Sequence, residues 1–319
     1  MKVGVFGCGR WGSFIGWYLA ETGHSVIQWG REGGRAFTEL KETGRNEYVE
    51  LSDKITLSSD LEYAIENSDA LIISIKSQAL REFASEIKAY GADEKPVVLC
   101  MKGLEENTGK RLSEIMIEDG YDKSKVAVWV GPGHIQEFTK GKPNCMVIDG
   151  YDKELIRRLA DGFKSKLIRF YYGGDVIGSE VGAAAKNVMG IAAGILDGGD
   201  LCTLKGPLMA RGAREVARLI KAMGGNELSA YGLCHLGDYE TTLFSEYSNN
   251  RQYGEDLYRK KPFTKLAEGV STTKALKLLG EKYKVELPIT NAVYNIIYGQ
   301  KEPLEELLKL FERKTVDEF

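Results

Sequence analysis

Val3-Gly4-Val5-Phe6-Gly7-Cys8-Gly9-Arg10-Trp11-Gly12 joins a short apolar run to a Gly-x-Gly-x-x-Gly hexad, and apolar residues then recur at helical spacing over residues 11–19. Strand, hexad and helix in that register predict a dinucleotide-binding turn. Gly7 permits the tight turn, Gly9 lets the backbone approach a pyrophosphate, and Gly12 lets helix and strand pack closely. Exposed N–H groups at the start of the helix, together with its dipole, favour the anion. A glycine-rich turn with no ligand is the plainer alternative.

About 20 residues beyond the glycines, where such folds place an acid on the ribose 2′-hydroxyl, the chain reads Trp29-Gly30-Arg31-Glu32. Arg31 stands where the acid is expected. A guanidinium pairs with a 2′-phosphate or stacks on adenine, so the expected cofactor is NAD or NADP, with a lean toward NADP or dual use. In the alternative, Arg31 is solvated and Glu32 takes the ribose.

Outward from the hexad, short β-like runs at 26–29, 71–75, 96–101, 126–130, 146–148 and 167–172 alternate with amphipathic stretches such as 80–87 and 110–117. That alternation implies βαβ units and a mostly parallel sheet. From about residue 176 nearly everything reads as helix: 176–196, 208–223, 228–233, 271–283 and 303–311. Pro288 opens a further helix toward Tyr298. The predicted fold is therefore α/β, a Rossmann-type dinucleotide-binding domain over residues 1–174 followed by an all-helical domain over 175–319. The tail from Arg313 is expected to fray.

Composition bounds the function. The 319 residues carry 43 Lys+Arg against 46 Asp+Glu, a net charge of −3, so no global field attracts nucleic acid or a membrane surface. The five cysteines form no Cys-x-x-Cys pair, and three histidines supply no zinc spacing. Free thiols in a cytoplasmic protein are expected. No secretory signal is visible, and the most apolar later stretch is interrupted by Lys186 and Asn187, which argues against an integral membrane segment.

Gly178-Ser179-Glu180-Val181-Gly182-Ala183-Ala184-Ala185-Lys186-Asn187-Val188-Met189-Gly190 is the most informative later stretch. Its small residues let another backbone or a ligand come close. A lysine and an asparagine there are costly unless paired or working. Burial lowers a lysine's pKa and brings proton exchange within reach of neutral pH. A hydride transfer between ketone and alcohol needs one group to protonate the developing alkoxide, and Lys186 is the candidate. The alternative is a lysine snorkelling to water.

Several blocks now match one family in order: Gly7–Gly12, Lys102-Gly103-Leu104-Glu105, Gly131-Pro132, residues 178–194, Gly237-Asp238, Ser248-Asn249-Asn250-Arg251, Glu268-Gly269-Val270 and Leu287-Pro288-Ile289-Thr290. Across nearly its whole length the chain resembles the bacterial-type NAD(P)-dependent glycerol-3-phosphate dehydrogenases. The resemblance implies a homodimer that reduces dihydroxyacetone phosphate to sn-glycerol 3-phosphate, reversibly, for phospholipid synthesis, with its active site between the two domains. It puts the catalytic lysine on Lys186 and a substrate-site aspartate on Asp238. Lys102 is implied to contact both cofactor and substrate. Arg10, Trp11, Arg31, Ile135, Leu266 and Glu268 fall on cofactor contacts. Gly131, Gly133, Asn187 and the segment Ser248, Asn249, Asn250 and Arg251 fall on substrate contacts, the last four as the phosphate-handling segment.

Read directly, Ser248-Asn249-Asn250-Arg251 offers hydroxyl, amide and guanidinium donors to a phosphate, and is equally a common turn or helix cap. Asp238 is suited to orient Lys186, to accept from a substrate hydroxyl, or to cap a helix. Two departures stand out. Family members usually carry arginine where this chain has Asn249. Gly133-His134-Ile135 replaces a small hydroxyl residue, an aromatic and alanine, and His134 takes the place of a packing aromatic. The rival readings are a dehydrogenase of a 3-hydroxy acid or ketopantoate, which has no use for the phosphate segment, and a nucleotide-sensing regulator without turnover.

Overall fold

The computed structural model describes residues 1–315, 317 and 318. The chain forms two compact units, residues 1–102 with 111–176, and residues 103–110 with 177–319.

The first unit is built on eight strands: β1 (Lys2–Phe6), β2 (Ser25–Trp29), β3 (Ile55–Ser58), β4 (Ala70–Ile73), β5 (Val97–Leu99), β6 (Val126–Val130), β7 (Asn144–Gly150) and β8 (Ile168–Tyr172). They form one sheet in the order β3-β2-β1-β4-β5-β6-β7-β8. All neighbours are parallel except β6 and β7. Strands β4 and β6 are buried at every residue, as parallel strands covered on both faces must be. Val3 pairs with Val26 on one side and with Ala70 on the other. The strand order thus reverses between β1 and β4, and the C-terminal end of β1 is the switch point at which such sheets bind ligands.

The second unit packs around the helix Val176–Gly198. Val181, Ala183, Ala184, Ala185, Val188, Met189, Ile191, Ala192, Ala193 and Ile195 are fully buried, and a helix apolar on every side lies at the centre of its bundle. Its glycines allow backbone-to-backbone contact. A Cβ on Gly194 would lie 1.9 Å from the carbonyl oxygen of Arg251, and one on Gly254 would lie 2.0 Å from that of Ile191. The helix Asn249–Tyr258 is thereby seated directly against the central one.

Pro288 opens its helix at the first turn, as expected. Glu215 caps that end from outside: it accepts from the N–H groups of Ile289 (2.8 Å) and Thr290 (3.0 Å) and from the Thr290 hydroxyl (2.7 Å). Burial pushes the Glu215 carboxyl up. The Leu287–Thr290 block is therefore a buried helix start with a built-in acceptor.

Several local expectations shift. Residues 228–233 form a 3-10 turn, Glu227–Tyr231, and 303–311 divide into an α-helix Pro303–Leu308 and a 3-10 turn Lys309–Glu312. The frayed-tail expectation includes Val316 and Phe319, which lie outside the described residues. A single division near residue 174 does not describe the chain either. Residues 103–110 belong with the second unit, where Leu104 is fully buried in the core and Lys274 donates to Asn107 at 2.9 Å. All five cysteines are free thiols. Among the described residues no helix is long and apolar enough to cross a membrane, and no His/Cys/Asp/Glu group has the arrangement to hold a metal.

Candidate active site

At the end of β1 each glycine of the hexad has its own reason. Gly7 has φ +122°, and a Cβ there would lie 2.2 Å from the carbonyl oxygen of Ser74, just past β4. A Cβ on Gly12 would lie 2.1 Å from the carbonyl oxygen of Gly7. Both are packing glycines. Gly9 differs: it is the N-cap of the helix Arg10–Glu21, with φ −70° and ψ 179°, and nothing lies within 4 Å of where its Cβ would be. Nearby, the Trp11 indole N–H is buried with no acceptor among the described residues. An open helix N-terminus beside an unmatched buried donor suits an anionic group with oxygens to offer.

The other expected cofactor contacts of this unit cluster partly around that turn. Arg10 donates to Gln136 at 3.0 Å and stacks over the Tyr48 ring at 5.5 Å. Lys102 donates to the Gly131 carbonyl, its ammonium 5.9 Å from the Trp11 ring centre. Arg31 is exposed just past β2. Glu32 pairs with Lys41 at 3.4 Å, and hydrogen bonds from Ser59 and Lys41 hold its carboxyl below the ordinary range. Gly131 has φ +127°, a conformation that side chains rarely adopt, and Gly133 lacks room for a side chain because the Phe138 ring would sit 2.3 Å from its Cβ. The Ile135 side chain is buried in the core with Trp129 and Phe138, so only its backbone, at the start of the helix Ile135–Phe138, is available to a ligand. His134 precedes that helix, its carbonyl accepting from Glu137 and Phe138.

In the second unit Lys186 does not snorkel. Its side chain is 9% exposed, and its ammonium lies 2.8 Å from Asp238 Oδ2 and 2.8 Å from Thr242 Oγ1. Asp238 closes a 3-10 turn, Leu236–Asp238, is fully buried, and also accepts from the Thr241 hydroxyl. Thr242 sits in a π-helical turn, Glu240–Phe244, a distortion common at functional sites. The sequence carries no signal for Thr242, since a threonine near an aspartate is ordinary until a fold buries both. An ammonium fixed between a carboxylate and a hydroxyl is a proton donor at a defined position.

Ser248 to Arg251 form the cap and first turn of a helix, and each makes bonds within the protein. Ser248 is the N-cap of the helix Asn249–Tyr258, its hydroxyl accepting from the Arg251 N–H at 3.3 Å. Asn249 donates to the carbonyl of the exposed Leu266 at 3.0 Å. Asn250 bridges, donating to the Asn187 side chain (3.0 Å) and accepting from the Gly269 N–H (2.9 Å), next to Glu268, the N-cap of the helix Gly269–Tyr283. Arg251 ion-pairs with Asp197 (2.6 Å) and Glu255 (3.2 Å) and donates from Nε to Ser245. Asp197 also holds the buried Lys205.

His235, next to the Leu236–Asp238 turn, was not singled out either. It is fully buried, and burial pushes its imidazole down to about 4. The unfolded chain therefore binds a proton that the folded chain refuses between the ordinary value of 6.5 and about 4. Its contribution is whole above that window and is lost as pH falls through it, a change on the order of 3 kcal/mol. Chemical denaturation at pH 7 and pH 4.5 is expected to show a smaller stability loss in His235→Asn than in the parent chain. Equal losses would remove His235 as a source.

Comparison with known proteins matches both units. Residues 2–156 match the family described as NAD-dependent glycerol-3-phosphate dehydrogenase N-terminus, and residues 175–308 its C-terminus. A protein of Thermoanaerobacter sp. named glycerol-3-phosphate dehydrogenase using NAD(P)+ is 33% identical over 98% of this chain and 97% of its own. One of Moorella thermoacetica with the same name is 35% identical over 99% and 97%. The crystal structure of glycerol-3-phosphate dehydrogenase from Coxiella burnetii superposes with a TM-score of 0.90 at 25% identity, covering 98% of this chain and 99% of that one.

Proposed function

Since the chain belongs to the NAD-dependent glycerol-3-phosphate dehydrogenase family, an NAD(P)-dependent oxidoreductase acting on a CH–OH group, we propose that Lys186 is its general acid and base. The buried contact of Lys186 with Asp238 and Thr242 carries this reading. A bound nicotinamide would supply the hydride chemistry, toward C2 of dihydroxyacetone phosphate in reduction and from C2 of sn-glycerol 3-phosphate in the reverse direction. Lys186 gives a proton to the oxygen on C2 as the ketone is reduced and takes one back in the reverse direction. Asp238 and Thr242 hold the amine in place, so that positioning and charge stabilisation are prepared before reaction.

The residues of the first unit suit the cofactor. Gly9 leaves the pyrophosphate a side-chain-free approach to a helix N-terminus, and the Trp11 N–H awaits an acceptor. The substrate phosphate is received at the first turn of Asn249–Tyr258, where helix N–H groups and the Arg251 guanidinium supply positive charge. Asn187 and Asn250 fix each other beside it. The setting we propose is a cytoplasmic homodimer that supplies phospholipid synthesis.

Loss of reduced-nicotinamide absorbance on mixing the protein with dihydroxyacetone phosphate tests the activity. Consumption with both NADPH and NADH is expected, and none with either would overturn it. Because Glu32 is engaged with Lys41 and Arg31 is exposed, Arg31→Ala is expected to lower kcat/KM with NADPH by about tenfold, the scale of one charge-assisted contact, and with NADH far less. Equal losses would return Arg31 to a purely solvated role.

A further inference from the structure

We propose that the buried pair His235–Tyr239 is a positioning device for the Lys186 amine, an inference that rests on the reading of Lys186 as proton donor. His235 Nδ1 lies 2.9 Å from the carbonyl oxygen of Gly182, and Nε2 lies 2.6 Å from the Tyr239 hydroxyl. Both side chains are fully buried. A carbonyl only accepts, so Nδ1 carries the hydrogen, Nε2 is bare, and the Tyr239 hydroxyl donates to it. Gly182 is one helical turn before Lys186, and its carbonyl is the one that accepts the Lys186 amide within the α-helix. The imidazole therefore grips the helix at the peptide that seats the lysine.

The other end of the pair grips the two turns that carry the lysine's partners. The Asp238 N–H donates to the His235 carbonyl at 3.0 Å, and the Tyr239 carbonyl accepts from the N–H groups of Thr242 (3.0 Å) and Leu243 (2.7 Å). Helix, 3-10 turn and π-helical turn are thus tied through one imidazole and one phenol. Two glycines make room for the tie. A Cβ on Gly182 would lie 3.1 Å from His235 Cβ, and one on Gly212 would lie 2.9 Å from the Tyr239 hydroxyl. Nothing in the pair touches the reacting atoms. It acts by holding Lys186, Asp238 and Thr242 in register.

Tyr239→Phe removes one oxygen atom and leaves Nε2 without its donor. Its kcat with dihydroxyacetone phosphate and NADPH is expected to fall roughly tenfold, as small misplacements of a catalytic group do, with KM and cofactor Kd within about twofold of the parent. The pH limb of kcat is expected to move, because the surroundings of the amine change. His235→Asn, whose amide still donates to Gly182, is expected to retain more turnover than His235→Leu, which makes neither bond. Should His235→Leu not fold, Tyr239→Phe carries the test alone. Parent-like kcat and pH profile in folded Tyr239→Phe, or a loss that only follows the folded fraction, would overturn the proposal while leaving Lys186→Ala inactive. An inactive parent chain, or an active Lys186→Ala, would overturn the underlying reading and this one with it.

Discussion

Lys186→Ala is expected to lower kcat by roughly 10²–10⁴-fold, the range for loss of a positioned general acid, while the Kd for NADPH stays near that of the parent. The residues proposed to grip the cofactor at the hexad lie in the other unit and do not depend on the amine. The substitution also takes the ammonium away from Asp238, a fully buried carboxylate, and removing one partner of a buried ion pair costs about 3–5 kcal/mol. A lower Tm is therefore expected as well. The double variant Lys186→Met/Asp238→Asn separates the two effects, because it replaces the charged pair with neutral groups of similar size. Recovered Tm with turnover still absent is the expected result. Turnover unchanged in Lys186→Ala would remove the amine from the mechanism.

Gly9→Asp is expected to weaken NADPH binding by on the order of 100-fold, about 2.7 kcal/mol, without lowering the Tm of the cofactor-free protein. Gly9 has a backbone conformation open to any residue and empty space where a side chain would go. Aspartate is among the best N-cap residues and suits the positive end of the helix Arg10–Glu21. Its carboxylate would nonetheless meet the pyrophosphate as a like charge. Gly12→Ala is the contrast: its new Cβ would press on the Gly7 carbonyl, a backbone atom that cannot swing aside, at a cost of about 1–3 kcal/mol in the absence of any ligand. Titration of NADPH against both variants, with thermal melts, checks the pair. Normal affinity in Gly9→Asp would mean that the pyrophosphate lies elsewhere.

The first half of the fold was legible because parallel strands are short, apolar and separated by helical spacing, and the hexad marks which strand is β1. What escaped were elements whose signal is polar. The helix Asn249–Tyr258 has only Gly254 buried, so no apolar stripe announces it, and its place is set by tertiary contact at Gly194 and Gly254. Strand β3 is a half-buried edge of four residues. Within the site, Lys186 could be read from the cost of a charge in an apolar stretch, whereas Asp238 came from the family resemblance, its own setting after Gly237 suiting a helix cap as well. Thr242 and His235 could not be read, because a hydroxyl and an imidazole are cheap on a surface and meaningful only once a fold buries them. The Ser248–Arg251 segment was read by its donor types. Which of those donors the protein uses for itself depends on Asp197, Asn187 and Gly269, all distant in sequence.

Residues 103–110 have a consequence for synthesis. This eight-residue excursion leaves the ribosome amid the first unit, but the helices that bury Leu104 and receive Asn107 begin only at Val176 and Gly269. Domains generally fold as units, the N-terminal one first, as the nascent chain emerges. The first unit must therefore close with a loose loop at its middle, which waits for most of the remaining chain before it docks. A protease supplied during translation is expected to cut there, and to lose that site once the C-terminal helices have been made.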